Sequence, residues 1–129
     1  MLVTISSGFL VAMTLIVAVF QIALALGAPL GEYAYGGARV GKLPLGFRIN
    51  SVVAVFVMLA ISGHYLAQLG VFEPILDPAG NSVVNWVLVG FTGLSALANN
   101  ATRSKKERMV WGIPTILMFL ASLAVALQL

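Results

Sequence analysis

Several uncharged polar side chains lie within long apolar segments of the chain. Five of them are candidates for a functional site, namely Gln21, His64, Asn85, Thr92 and Asn99. Amides, an imidazole and a hydroxyl at such positions need partners, and they can hydrogen-bond a neighbouring helix or contact a ligand between helices. At about 100° per residue they fall on polar or small-residue faces, which predicts that they face the interior of a bundle. Both interpretations, interhelical hydrogen bonds and a ligand cavity, remain open.

The chain offers few groups for acid–base or metal chemistry. His64 is the only histidine, there is no cysteine, and the four carboxylates all lie outside the apolar segments. A proton relay or a metal ion would need a carboxylate or a second ligand beside this imidazole. We therefore predict no catalytic residue, no metal site and no cofactor, and we interpret His64 as a hydrogen-bonded residue near a membrane interface.

The charged residues divide the chain into the segments that must position these groups. All seven basic and four acidic residues fall within three windows, 32–48, 73–77 and 103–108. Each stretch outside them can supply the roughly 20 apolar residues that cross a bilayer core. The pattern predicts an all-α, four-helix transmembrane bundle in a single domain, 1–129, with helices over about 8–26, 49–69, 82–101 and 109–127.

The composition favours the same class of protein. Hydrophobic residues make up 60% of the chain and charged residues only 9%. A soluble domain carries roughly 25% charged residues, so this chain has too few to cover a surface that faces water. We expect the lipid bilayer to be its partner, with a homo-oligomer or a larger membrane complex left open, and we expect no nucleic acid.

The basic residues are distributed on one side of the predicted bundle. All seven lie in or beside the connections between helices 1 and 2 and between helices 3 and 4. The only charged residues in the connection between helices 2 and 3 are the acids Glu73 and Asp77. Because basic connections stay in the cytoplasm, this bias predicts that both termini lie outside, N-out and C-out. The expected location is the inner (plasma) membrane, as a multi-pass protein.

The first connection, about residues 27–47, is longer than the roughly 2–8 residues usual between helices of a bundle. It is rich in glycine, and Glu32 is its lone acid. We expect an ordered cap on the cytoplasmic face, with Glu32 paired to Arg39, to Arg48 or to a basic residue of segment 103–108. The alternative is an irregular connection on the surface.

Motifs in the connections carry a family resemblance. They are Gly27-x-Pro29-x-Gly31, Gly36-Gly37, Leu43-Pro44, Arg48, Asn99 or Asn100, Arg103-Ser104-x-x-Glu107-Arg108, Trp111 and Pro114. In these residues the chain resembles a group of small, four-helix bacterial inner-membrane proteins of unknown function. The resemblance implies a bacterial membrane protein with four helices, and it implies no activity.

Three classes of function are compatible with this pattern. The first is a non-enzymatic membrane component, namely an accessory, interaction or apolar-ligand and lipid-binding subunit. The second is a small oligomeric transporter or channel with a pathway lined by the polar faces of helices 1–3, although a pathway for charged solutes should contain intramembrane charge. The third is a lipid-modifying enzyme, for which the apolar segments lack acid–base groups.

Overall fold

A computed structural model describes all residues from Met1 to Leu129 and contains four long α-helices and no strand. The helices are α1 (Leu2–Ala25), α2 (Leu45–Gln68), α3 (Pro78–Ala101) and α4 (Lys105–Ala126). Each has 22 or 24 residues and is long and apolar enough to cross a membrane. The prediction of an all-α protein with four helices of membrane-spanning length is confirmed, and the chain is a multi-pass membrane protein.

Each helix begins four or more residues before its predicted start. Asp77 caps α3 by accepting a hydrogen bond from the Gly80 amide at 2.7 Å, and Pro78 occupies the first helical position. Ser104 caps α4 and accepts from the Glu107 amide at 3.2 Å. Capping residues and an early proline favour helix starts, so the first turns include polar residues that hydropathy alone leaves out.

The chain folds as two antiparallel hairpins, α1–α2 and α3–α4, each joined by a buried hydroxyl pair. Thr14 Oγ1 lies 2.6 Å from Ser62 Oγ in the first hairpin, and Thr92 Oγ1 lies 2.7 Å from Ser122 Oγ in the second. Each threonine hydroxyl is also 2.8 Å from the carbonyl oxygen four residues before it. These hydroxyls therefore find their partners inside the bundle, where they join the helices of each hairpin.

The two hairpins pack closely along one seam only. We call the α1–α4 contact the closed seam; it includes an edge-on contact between Phe20 and Trp111 with ring centroids 5.0 Å apart. We call the boundary between α2 and α3 the open seam, because these helices have no comparable packing along their length. The bundle therefore has the lateral order α2–α1–α4–α3, and a gap separates its two outer members.

The two ends of the bundle differ in charge and in packing. The acidic end contains residues 69–77 and both termini, and the basic end contains the connections 26–44 and 102–104. The main hydrophobic core fills the half toward the acidic end. Its buried members are Leu10, Ala18, Met58, Ile61, Tyr65, Leu88, Met118, Ala121 and Val125. The half toward the basic end is less filled, and there the helices surround a cavity.

Large apolar side chains cover the outside of the bundle. Val19, Phe56, Leu94 and Ile113 are each about two-thirds exposed or more, and many others on the four helices are similarly bare. Soluble monomers rarely expose apolar surface on this scale. Acyl chains of a bilayer are the environment that such a surface requires.

The connection 26–44 folds back over the basic end. A second, smaller buried cluster contains Leu24 of α1 together with Ala34 and Leu43 of this connection. Gly31 donates to the carbonyl oxygen of Gly41 at 2.9 Å, and a Cβ at Gly31 would lie only 2.5 Å from a backbone oxygen. A glycine is therefore needed at this close approach of two backbone segments.

Candidate functional site

A cavity of about 670 Å³ lies between the four helices in the half toward the basic end. All four helices line it, together with the segment Tyr33–Gly36 of the first connection, and most of the lining residues are hydrophobic. Phe91 and Ala98 of α3 belong to this lining and are also exposed, so the cavity opens at the open seam. Its volume and apolar wall are those of a site for a small organic molecule.

Three of the five polar residues named from the sequence come together in this wall: Gln21, Thr92 and Asn99. The hydroxyl of Thr92 is satisfied by α3 and by Ser122, and Asn99 donates from Nδ2 to the carbonyl oxygen of Ser95 at 2.8 Å. Gln21 is different, because its buried Oε1 has no hydrogen-bond partner. This amide oxygen is an acceptor that the protein itself leaves unused.

Glu107 is the one charged residue of the cavity wall. Its exposed fraction is only 5%, and its Oε2 accepts a hydrogen bond from the Gly36 amide at 3.1 Å. The single ion pair of the structure involves other residues, so no basic nitrogen lies within 4.0 Å of this carboxylate. From the sequence, Glu107 was expected among the charges of a connection and in a motif of the family resemblance, and its position in the cavity wall was not predicted.

A local sequence signal for Glu107 was nevertheless present. Ser104-x-x-Glu107 has the spacing of a capping box, in which the glutamate reaches back to the amide of the capping residue. Here the Ser104 amide instead donates to Thr102 Oγ1 at 3.2 Å, and Glu107 accepts from Gly36 of the first connection. The spacing indicates a carboxylate directed back toward the helix start, and the folded connection then encloses it.

Aromatic side chains form much of the wall around this carboxylate. Phe20, Tyr33, Tyr35, Phe91 and Trp111 all line the cavity. The indole of Trp111 follows Glu107 by one turn of α4, so the two side chains lie on the same helix face. The wall thus combines a carboxylate with flat apolar surfaces.

His64 and Asn85, the other two predicted residues, lie in a separate cluster toward the acidic end. Gln68 Nε2 donates to Asn85 Oδ1 and Asn85 Nδ2 donates to Gln68 Oε1, each at 3.0 Å. His64 Nε2 is 2.7 Å from the same Asn85 Oδ1, and because that oxygen can only accept, the imidazole donates. This polar cluster of His64, Gln68 and Asn85 joins α2 to α3 and holds one end of the open seam together.

The connection that covers the basic end is attached to α4 by two contacts of Glu32. Its carboxylate lies 2.6 Å from Lys106 Nζ, and its carbonyl oxygen accepts from Ser104 Oγ at 2.5 Å. Among the predicted partners of Glu32, the structure therefore places a base of segment 103–108 next to it. The reason is that the turn Gly31–Tyr33 packs on α4.

The two arginines predicted for the cap make other contacts. Arg48 donates from Nε to the carbonyl oxygen of Ala25 at 3.0 Å, at the C-terminus of α1, where a cation is favourable. Arg39 is exposed, with its guanidinium carbon 5.9 Å from the ring centroid of Phe47. Neither arginine pairs with Glu32, since the structure has one ion pair and it joins Glu32 to Lys106.

No group of three or more His, Asp or Glu side chains lies close enough together to hold a metal ion. Comparisons of the chain with models of protein families, with curated proteins and with solved structures found no match. The cavity and its wall are therefore the features from which a function can be inferred.

Proposed function

We propose that the protein is a non-enzymatic binding component of the bacterial inner membrane that holds an apolar, lipid-like molecule in its cavity. The observation that carries this proposal is the cavity itself, which has a volume of about 670 Å³, a mostly apolar wall and an opening at the open seam. In a bilayer this opening faces acyl chains. An apolar molecule can therefore move from the lipid into the cavity without crossing water.

A further feature supports a binding site over a packing defect. Protein interiors are normally close-packed, with few voids larger than a water molecule. In the half toward the acidic end the buried apolar side chains form the main core, whereas the cavity of about 670 Å³ lies in the other half and is lined by all four helices. A bound molecule would fill this space, which is much larger than a water molecule.

The orientation that we propose is N-out and C-out, with the basic end in the cytoplasm. It is supported by the position of every Lys and Arg at one end of the bundle, because basic connections stay on the cytoplasmic side. The first connection then covers the cavity from the cytoplasm, and the opening lies at the level of the inner leaflet. We propose the bacterial inner membrane because the sequence resembles, in its connections, a group of small bacterial inner-membrane proteins.

A blocked cavity tests the binding function. Ala54 lines the cavity, so the indole of Ala54→Trp would occupy part of it. Ala60→Trp is the control, because it adds the same group at an exposed position on the same helix. Native mass spectrometry of the gently solubilised protein should find a retained small molecule or lipid on the unmodified chain and on Ala60→Trp. Ala54→Trp should lose it. Equal retention by both variants would show that the adduct sits on the outer surface and would overturn the proposal.

Cysteine labelling tests the orientation, and the absence of native cysteines makes single-cysteine variants clean. Ile75 is fully exposed at the acidic end, and Lys105 is exposed at the basic end. In intact cells an impermeant thiol reagent should label Ile75→Cys and spare Lys105→Cys. The reverse pattern, or equal labelling of both, would contradict the proposed orientation.

The alternative of a small oligomeric transporter or channel has one supporting observation, namely that Gln21, Thr92 and Asn99 share the cavity. The packed core separates that cavity from the acidic end, so transport would require α2 and α3 to part along the open seam. The polar cluster would have to separate in that movement. Solute flux in liposomes that increases in Asn85→Leu would favour the transporter over the binding component.

A further inference from the structure

We propose that the cavity selects an amphiphile with an ammonium group, and that Glu107 is the counter-ion of that group. The inference rests on the proposed function, since it names the class of ligand for the same cavity. It follows from the charges in the wall, from the hydrogen-bonding capacity left over there and from the position of these groups along the bundle.

The charge of the wall is opposite to the charge of the end that surrounds it. Lys and Arg are concentrated at the basic end, yet none lines the cavity, and Glu107 is the only charged lining residue. The one acid nearby in space, Glu32, is already neutralised by Lys106, whose Nζ lies 2.6 Å from its carboxylate. Glu107 has only the Gly36 amide as a donor. A sheltered carboxylate without a cation is costly, and a cationic ligand would remove that cost.

The hydrogen-bonding capacity of the carboxylate suits the same ligand. Glu107 Oε2 accepts from the Gly36 amide, and an ionised carboxylate has further lone pairs that can accept. An ammonium group has up to three N–H donors and no acceptor, so it can donate to this carboxylate. An anionic head group would meet like charge at Glu107.

The aromatic side chains of the wall suit the same ligand. A cation is attracted to the face of an indole or a phenol, and Trp111 follows Glu107 on the same face of α4. This type of contact already exists beside the cavity, where Lys106 Nζ lies 5.7 Å from the ring centroid of Tyr33. Most of the remaining wall is hydrophobic, including Met58 and Met118 near the middle of the bundle.

The positions of these groups also define how the ligand lies. Glu107 is in the first turn of α4 at the basic end, and the apolar wall extends from there toward the middle of the bundle. A ligand with its ammonium group at Glu107 and its chain directed inward has the orientation of an inner-leaflet lipid. The ammonium group can belong to a phospholipid head group such as phosphatidylethanolamine or to a free amphiphilic amine.

Two binding measurements test the proposal and separate these sources. In the first, the protein is ejected from nanodiscs of equimolar phosphatidylethanolamine and phosphatidylglycerol, and the retained lipid is identified by native mass spectrometry. In the second, dodecylamine and dodecanol are titrated in phosphatidylcholine nanodiscs while the Trp111 fluorescence of Trp86→Phe is recorded. We expect enrichment of phosphatidylethanolamine in the first, or dodecylamine binding about tenfold or more tighter than dodecanol in the second.

Glu107→Gln should remove the roughly tenfold preference for dodecylamine over dodecanol, because the neutral amide can still accept from Gly36 but no longer attracts a cation. Glu73→Gln is the matched control, since it removes an exposed and unpaired carboxylate that lies outside the wall, at the acidic end. The comparison of the two probes in Trp86→Phe needs no change at Glu107 and stands even if Glu107→Gln does not fold.

Each outcome has a separate meaning. Enriched phosphatidylethanolamine identifies a lipid as the source, and tight dodecylamine binding without a retained lipid identifies a free amine. Dodecanol binding as tightly as dodecylamine, with no lipid enrichment, refutes the ammonium selectivity and leaves the proposed function standing. Equal weakening of both probes by Glu107→Gln would mean that Glu107 only holds the first connection in place. Binding of neither probe and retention of no lipid refute both proposals.

Discussion

The closed seam and the open seam join the same two hairpins with opposite results. Along the closed seam, α1 and α4 pack directly, with Phe20 against Trp111. Along the open seam, α2 and α3 are joined by the polar cluster near the acidic end, and the cavity takes the place of packing toward the basic end. One lateral boundary of the bundle is therefore closely packed, whereas the other leaves room for a molecule.

The two amides differ in the partners that they find. Asn85 uses both its oxygen and its nitrogen, because Gln68 pairs with it reciprocally and His64 donates to it. Gln21 lines the cavity, and its buried Oε1 has no hydrogen-bond partner. The amide of Asn85 therefore contributes to helix association, and that of Gln21 does not.

The largest effect is expected from added volume in the packed half. Ala18 is 3% exposed in the core, so Ala18→Leu would force its neighbours apart and lower the free energy of unfolding by about 1–3 kcal/mol. Ala54→Leu adds the same atoms next to the cavity and should change stability little. Unfolding of both variants by SDS, followed by circular dichroism, measures the difference. Equal losses would mean that the half toward the basic end is as tightly packed as the other.

A smaller effect is expected from replacing the two amides with the same apolar residue. Asn85→Leu leaves Gln68 and His64 without their partner and should lower the free energy of unfolding by about 0.6–2 kcal/mol. Gln21→Leu removes an acceptor that has no partner and should be neutral or stabilising. The same SDS titration provides the measurement. A greater loss of unfolding free energy for Gln21→Leu than for Asn85→Leu would mean that Gln21, and not Asn85, is the amide that stabilises the bundle.

The smallest effect is expected at the exposed ion pair of the first connection. Glu32→Gln removes the contact with Lys106 and should lower the free energy of unfolding by at most about 1 kcal/mol. The connection should nevertheless detach more often, so trypsin applied to the basic end should cut faster at Arg39 and Lys42. Glu73→Gln, at an exposed and unpaired acid of the other end, is the control. Immediate cleavage of the unmodified protein would mean that the connection is not held at all.

Features that depend on local chemistry can be predicted from this sequence. Four apolar segments separated by charged windows specify four helices, because length and hydropathy decide whether a segment can cross a bilayer. The predicted helix starts were too late by four or more residues. For α3 and α4 the reason is that hydropathy does not register the caps Asp77 and Ser104, which act on amides of the first turn.

Which polar groups pair and which stay unpaired depends on contacts between helices, and therefore on the folded bundle. Helical periodicity places Gln21 and Asn85 on interior faces alike, but it does not state which residue of another helix lies opposite. Gln68 meets Asn85 because α2 and α3 converge at the acidic end, and no such neighbour reaches Gln21 Oε1. Glu107 is charged and close to the chain's connections, so hydropathy assigns it to water. It lies in the cavity wall because the first connection folds over the basic end and donates the Gly36 amide to it, a contact between residues far apart in the chain.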